Sequence, residues 1–340
     1  MGNAPVITLQ QYQRGWLRLV RLPNLLTVCG DPLAGLCLVS LTDPEMHLLQ
    51  KTGPMLPAAL ACLCLYIAGL ILNDLHDVGM DRILRPDRPL PSRTIPIHHA
   101  MLGVFFLTVT GVGLICCISF SAMAIGLVLI CLILTYTFIA KPVGGLTAAV
   151  VMGLCRGVST LIAVDIFDWN LPVLIFAAVV TLYTSGLTLV SGKEDRAASV
   201  GWEAWVPAFM LLVQGGVFAG VLFMQPDANL YLACILLASL ALLAAIALAT
   251  RMACVVTANV SSPGETRFAV ARFIHIMPLA QSWPLLLLPV TVAGGLALVL
   301  ASGVAMWANR RYPGSCKGLW SVGLWLVGKR KTNGPFSSLP

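Results

Sequence analysis

LPAALACLCLYIAGLILNDLHDVGMDRILRPDRPLPSR, residues 56–93, carries the two facts on which the fold turns. Residues 56–73 hold no Asp, Glu, Lys or Arg, and with the next few residues they reach the length of about 20 that a helix needs to cross the hydrocarbon of a bilayer. The apolar run then stops abruptly in Asn73-Asp74-Leu75-His76-Asp77-Val78-Gly79-Met80-Asp81, followed by Arg82, Arg85, Arg88 and Arg93 among Pro86, Pro89 and Pro91. A lipid-soluble segment ending in concentrated charge marks a membrane boundary.

The rest of the chain repeats the first half of that pattern. Of 340 residues, 58% are hydrophobic and 10% charged, and the mean hydropathy is +0.90. Soluble domains carry about 25% charged residues, so a water-soluble globule is excluded, and so is a disordered chain. Apolar runs fall at 24–41, 56–76, 97–117, 119–140, 143–164, 171–191, 205–224 and 229–250. A weaker amphipathic stretch at 265–283 precedes a strong run at 285–309. None shows the two-residue alternation of a membrane barrel. The sequence therefore predicts an all-α integral membrane protein of nine transmembrane helices, the last bent at Pro284, with ten as the alternative if 265–283 crosses separately. Residues 1–23 form a polar segment without the apolar core of a signal peptide, 24–309 the membrane domain, and 310–340 a basic tail.

The net charge of +7 is spread over loops, which does not describe a nucleic-acid-binding face. Arg14, Arg18 and Arg21 precede the first span; Arg82 to Arg93 follow the second, Lys141 the fourth, and Lys193 and Arg196 the sixth. The alternate loops contain a single cation, Lys51. The positive-inside rule then assigns the charged loops to the cytoplasm.

Asp74, Asp77 and Asp81 are spaced i, i+3 and i+7, which places them on one face of a continuing helix. Three carboxylates at a membrane edge repel one another and are costly to desolvate. A hard cation resolves both difficulties. Mg²⁺ takes a few carboxylates, keeps several waters and shares its remaining positions with substrate phosphates. The neighbouring arginines suit phosphate oxygens, though they also satisfy a simpler reading as partners of the aspartates.

Asn73 to Asp81 resembles the NDxxDxxxD signature of the UbiA superfamily of intramembrane prenyltransferases, and Arg85 to Ser92 looks like its continuation. Arg21, Asn24 and Asp31 are similar to the family's first-helix pattern, and Tyr136 to Lys141 to its YxxxxK element. Arg156 falls where the family often carries an intramembrane Arg. The family's second Asp-rich motif, expected after the sixth span, is degenerate here. Asp195 matches its last acid and Glu194 stands beside it, but Thr188 and Ser191 occupy the positions of earlier acids. The chain thus looks like a divergent member, similar to the UbiA-like proteins called EboC.

The resemblance implies a central cavity open to lipid and capped on the cytoplasmic side. It implies Asp74, Asp77, Asp81 and Asp195 as Mg²⁺ ligands, the first two and Asp195 being catalytic. Asn24, Asn73, Arg88, Lys141, Arg156, Lys193 and Arg196 would bind substrate. The implied reaction is transfer of a prenyl group from an isoprenoid diphosphate to a lipophilic acceptor within membrane lipid. Two alternatives stay open: a membrane terpene cyclase without acceptor, favoured by the weakened second motif, and a noncatalytic isoprenoid- or pigment-handling protein, which has no need of stacked carboxylates.

Other features have ordinary readings. Arg156 either faces the cavity or pairs structurally with Asp31, and an ionisable residue at that depth is expected to act. The eleven cysteines form no CxxC pair and read as small apolar filler. Gly153/Gly157 and Gly216/Gly220 are GxxxG pairs, expected at close helix contacts. His98, His99 and His275 lack metal-ligand spacing.

Overall fold

The computed structural model describes residues 7–21, 25–43, 52–193, 201–224, 232–258, 263–287, 291, 295–300 and 302–304. Among them the regular structure is entirely helical. A short polar helix, α1 (Leu9–Leu19), is closed at its start by a reciprocal cap between Thr8 and Gln11. The apolar runs follow as α2 (Leu25–Thr42), α3 (Met55–His76), α5 (Ile97–Cys116), α6 (Phe120–Thr135), α7 (Gly145–Leu161), α8 (Leu171–Ser191), α9 (Trp205–Met224) and α10 (Leu232–Ala258). Between α3 and α5 lies a two-turn helix, α4 (Val78–Leu84). The protein is thus an integral, multi-pass, all-α membrane protein. Six described helices are long and apolar enough to cross a bilayer, and Thr27–Thr42, Gly145–Leu161 and Gly295–Val304 are shorter apolar helices.

The helix after α10 departs from the sequence-based expectation. α11 (Pro263–Leu287) runs unbroken through both Pro278 and Pro284, so it is not one half of a span bent at Pro284. The chain then turns back. The Ser302 hydroxyl donates to the His275 carbonyl, and a Cβ at Gly295 would lie 2.8 Å from Leu286. Residues 295 and 302 therefore pair with 286 and 275 in antiparallel order. Hydropathy alone cannot register a reversal inside an apolar run, which is why 285–309 read as one segment. The tail 310–340 lies outside the described residues.

α2 sits at the centre, in contact with α3, α7, α8 and α11. Its Ala34, Leu36, Cys37, Leu38 and Val39 are fully buried, as expected of a helix apolar on every side. Lipid offers no hydrophobic drive for helix pairing, so close approach and internal hydrogen bonds hold such a bundle. Gly153 and Gly157 supply the approach between α7 and α8: a Cβ at either would collide with Thr181, and at Gly157 also with the Ala177 carbonyl, 2.8 Å away. Gly216 and Gly220 differ. A Cβ at either meets nothing within 4 Å, so this second pair is no close helix contact among the described residues.

One end of the bundle carries a cap. Leu19 of α1, Leu90 and Ile95 from the loop after α4, and Ala100 of α5 bury themselves with Ile71, and Trp16, Leu75 and Val78 pack against them. This small cluster fastens the Pro-rich loop over the end of α3. At the opposite end the turns are tied by Asn170, which caps α8 through Val173 and donates to Thr42 at 2.6 Å.

Candidate active site

The acidic motif sits where α3 gives way to α4. The helix does not continue straight through it: Asp77 is the junction residue between the two. Backbone hydrogen bonds still bridge the joint, from the Asp77 N–H to the Asn73 carbonyl at 3.1 Å and from the Asp81 N–H to the Asp77 carbonyl at 2.9 Å. The three carboxylates separate accordingly. Asp74 and Asp81, 8% and 6% exposed, share one counter-ion: Arg88 Nη1 lies 2.6 Å from Asp81 and 3.6 Å from Asp74. Arg21 reaches the same Asp74 oxygen at 3.4 Å, from a left-handed backbone conformation at φ +48° that few non-glycine residues adopt. Asp77 turns away from this pair to Lys141, whose ammonium also donates to Asn73 Oδ1 at 2.8 Å.

Three acids stacked on one face, as the spacing suggests, are thus resolved here into two groups, Asp74 and Asp81 with Arg88 and Arg21, and Asp77 with Lys141. Among the described residues no three Asp, Glu, His or Cys side chains are gathered as a ready-made metal cage. The donors on offer are nonetheless all hard oxygens, at one rim, within nine residues of sequence. That set fits a cation that keeps waters and takes phosphate oxygens in its other positions.

Lys141 reaches the rim because α6 ends in a π turn, Tyr136–Ala140, followed by a short helical stretch, Lys141–Val143. π turns recur at functional sites because they re-aim side chains. The chain then reverses into α7 at Gly144, whose φ of +78° is open to glycine and costly for other residues.

Below the rim lies a chamber with about 680 Å³ of empty space, its open mouth included. It is bounded by α3, α6 and α7, with Val28 of α2. Arg21 and Asn73 stand at the rim, Tyr66 and Tyr136 on the walls, and Cys62, Arg156 and Ser159 at the far end. Arg156 answers both sequence readings at once, since it borders the chamber and pairs with Asp31. Its Nε lies 2.8 Å from Asp31 Oδ2, and its Nη2 donates to the Thr27 carbonyl at 2.7 Å and approaches Met277 Sδ at 3.3 Å. Asp31, fully buried, also accepts from Ser159 Oγ at 3.0 Å and from Gln281 Nε2.

On the side of the degenerate second motif, Thr188 and Ser191 spend their hydroxyls on their own helix, donating to Thr184 and Thr188 carbonyls at 2.8 and 3.0 Å. Lys193 is bound to Glu203, a buried acid in the turn before α9, rather than to the acidic motif. Asn24, Glu194, Asp195 and Arg196 lie outside the described residues. His76 is exposed and meets the Phe138 ring edge to face. Gln281, Ser159 and Arg21 complete the polar framework without having been singled out as site residues. Gln281 had a visible signal, an amide within an otherwise apolar stretch of α11.

No model of a known protein family matches the chain. Its relatives include digeranylgeranylglyceryl phosphate synthases. That of Saccharolobus solfataricus is 27% identical over 195 residues, 54% of this chain and 63% of the relative. That of Sulfolobus acidocaldarius is 36% identical over 70 residues, 21% and 25% of the two chains. The chain therefore spans less than two thirds of the length of either. A solved structure of a digeranylgeranylglyceryl phosphate synthase shares the fold with a TM-score of 0.51 and 19% identity, over 86% of this chain and 98% of that one. A UbiA homologue from Archaeoglobus fulgidus, bound to GPP and Mg²⁺, superposes with a TM-score of 0.50 and 15% identity, over 84% and 99% of the chains.

Proposed function

We propose that the chain is a UbiA-type prenyltransferase, transferring a prenyl group from an isoprenoid diphosphate to a lipophilic acceptor. The observation that carries this reading is the pair of buried carboxylates, Asp74 and Asp81, clamped by Arg88 and held through Asp74 to Arg21, which with Asn73 lines the chamber. Buried acids at a membrane edge are retained at a cost, and the chamber beneath gives them something to act on.

In this reading Asp74, Asp77, Asp81 and Asp195 would hold Mg²⁺. When bound, Mg²⁺ supplies Lewis-acid stabilisation of the diphosphate leaving group. Arg21, Arg88 and Lys141 exchange their carboxylate partners for diphosphate oxygens, for which guanidinium forks are well shaped. By the family resemblance, Lys193, on leaving Glu203, and Arg196 would contribute further cations to the diphosphate. Asn73, held by Lys141, keeps that lysine aimed at the rim. The C1–O bond of the allylic diphosphate breaks with its electron pair leaving on pyrophosphate. Leu65, Leu70, Leu129 and Ile133 line the wall below, so water is scarce where the allylic cation forms, and the acceptor bonds to C1 and gives up a proton in its place.

The cationic loops at the motif's end of the bundle support a cytoplasmic placement of the cap under the positive-inside rule. The test is pyrophosphate release by purified protein given geranylgeranyl diphosphate and Mg²⁺, with and without a lipophilic aromatic acceptor. Release only with acceptor supports transfer. A hydrocarbon product without acceptor overturns it in favour of cyclisation, and no release in any combination favours a noncatalytic role.

A further inference from the structure

The chamber has polar groups at two levels. At the rim, α3 is tied to Lys141 through Asn73. At the far end α3 is tied to α7 by Cys62 Sγ, which approaches the Ser159 carbonyl at 3.9 Å. Asn73 and Cys62 are eleven positions apart in one helix, so the two levels are separated by about 16 Å at 1.5 Å per residue. A diphosphate held at the rim leaves the Arg156 level unserved.

Arg156 is 7% exposed. Among the described residues, its contacts run through Nε and Nη2, to Asp31, Thr27 and Met277. None uses Nη1, and Arg156 is a chamber residue. An apolar tail end set against that nitrogen would desolvate it without a bond in return. An oxygen acceptor would satisfy it.

The charge balance decides what kind of oxygen. Asp31 is wholly buried and already neutralises Arg156 at 2.8 Å. A second anion at Nη1 would share one guanidinium with Asp31, deep in a medium of low dielectric, where like charges repel strongly. A neutral oxygen gains the hydrogen bond without that repulsion.

We infer that the floor of the chamber is a subsite for a neutral carbonyl or hydroxyl oxygen, contributed by the acceptor, and that the Asp31–Arg156 pair excludes acceptors bearing a carboxylate or phosphate there. The assignment of this occupant as the acceptor rests on the prenyl-transfer reading. The subsite itself can be tested without it.

The experiment measures binding of methyl 1-naphthoate and of 1-naphthoate to detergent-solubilised full-length protein, with no diphosphate and no Mg²⁺ present. The two probes share a ring and differ in an ester against an ionised acid. Wild type is expected to prefer the ester by at least about tenfold, corresponding to one repulsive contact between buried charges. Asp31→Asn removes the competing anion and should erase or reverse the preference, while Arg156→Met should abolish specific ester binding. Equal or tighter binding of the acid by wild type overturns the inference and needs no variant that might misfold. Undiminished ester binding by a folded Arg156→Met protein overturns it as well. Because neither arm involves catalysis, loss of the subsite and loss of the prenyl-transfer reading are distinguishable.

Discussion

Arg88 stands between Asp74 and Asp81, 3.6 Å from one and 2.6 Å from the other, so one guanidinium holds together two carboxylates that would otherwise push apart. It comes from a loop kept over the rim by the burial of Leu90 and Ile95. Arg88→Gln should therefore weaken capture of the diphosphate more than the chemical step. The expected result is a KM for geranylgeranyl diphosphate raised about tenfold or more, with a smaller change in kcat.

Asp74→Ala and Asp77→Ala should each lower pyrophosphate release by about 100-fold or more, the scale of losing a preorganised charge at a reacting centre. The protein should still insert into membranes, because insertion is set by the apolar runs, which neither substitution interrupts. Wild-type activity in either variant would remove the metal assignment. Chelation with EDTA should silence wild type, and added Mg²⁺ should restore it.

The two GxxxG pairs should behave oppositely. Gly157→Val drives a branched side chain into the Thr181 hydroxyl and the Ala177 carbonyl and should destabilise the bundle by about 3 kcal/mol, the upper range for overpacking. Gly216→Ala and Gly220→Ala enter open space and should shift the detergent unfolding midpoint little, within about 0.5 kcal/mol. Comparable losses at all three positions would contradict the packing described for α7 and α8.

Breaking the buried ion pair from one side should cost more than removing it whole. Among the described residues, Arg156→Met alone leaves Asp31 with Ser159 and Gln281, and a loss of about 3 kcal/mol is expected in reversible unfolding. The double variant Asp31→Leu/Arg156→Met should recover much of it. A double variant as unstable as the single would show that packing, not charge, is at stake.

The bundle was readable in the sequence wherever an apolar run ended in charge or a turn former, as at Asn73–Asp81 or Lys141–Gly144. It was not readable after Leu287, where the chain doubles back within an apolar stretch and α11 passes through two prolines. The acidic motif announced itself by spacing, yet spacing said nothing of partners. Asp77 leaves its neighbours for Lys141, sixty-four positions away, and Lys193 goes to Glu203. Such choices are made by helices meeting in space. The Asp31 framework was half visible. Two intramembrane charges suggested a pair, but Gln281 joins it from α11, 250 positions further on.

The π turn at Tyr136–Ala140 makes the hairpin beyond it sensitive to counting. A π turn adds one residue to a helix, and each residue rotates the downstream chain by about 100°. Deleting a single position from the regular helix before it, where no wide turn absorbs the change, would rotate the Lys141 ammonium away from Asp77 and Asn73, with every functional side chain still spelled out in the gene. The protein would keep its vocabulary and lose its aim.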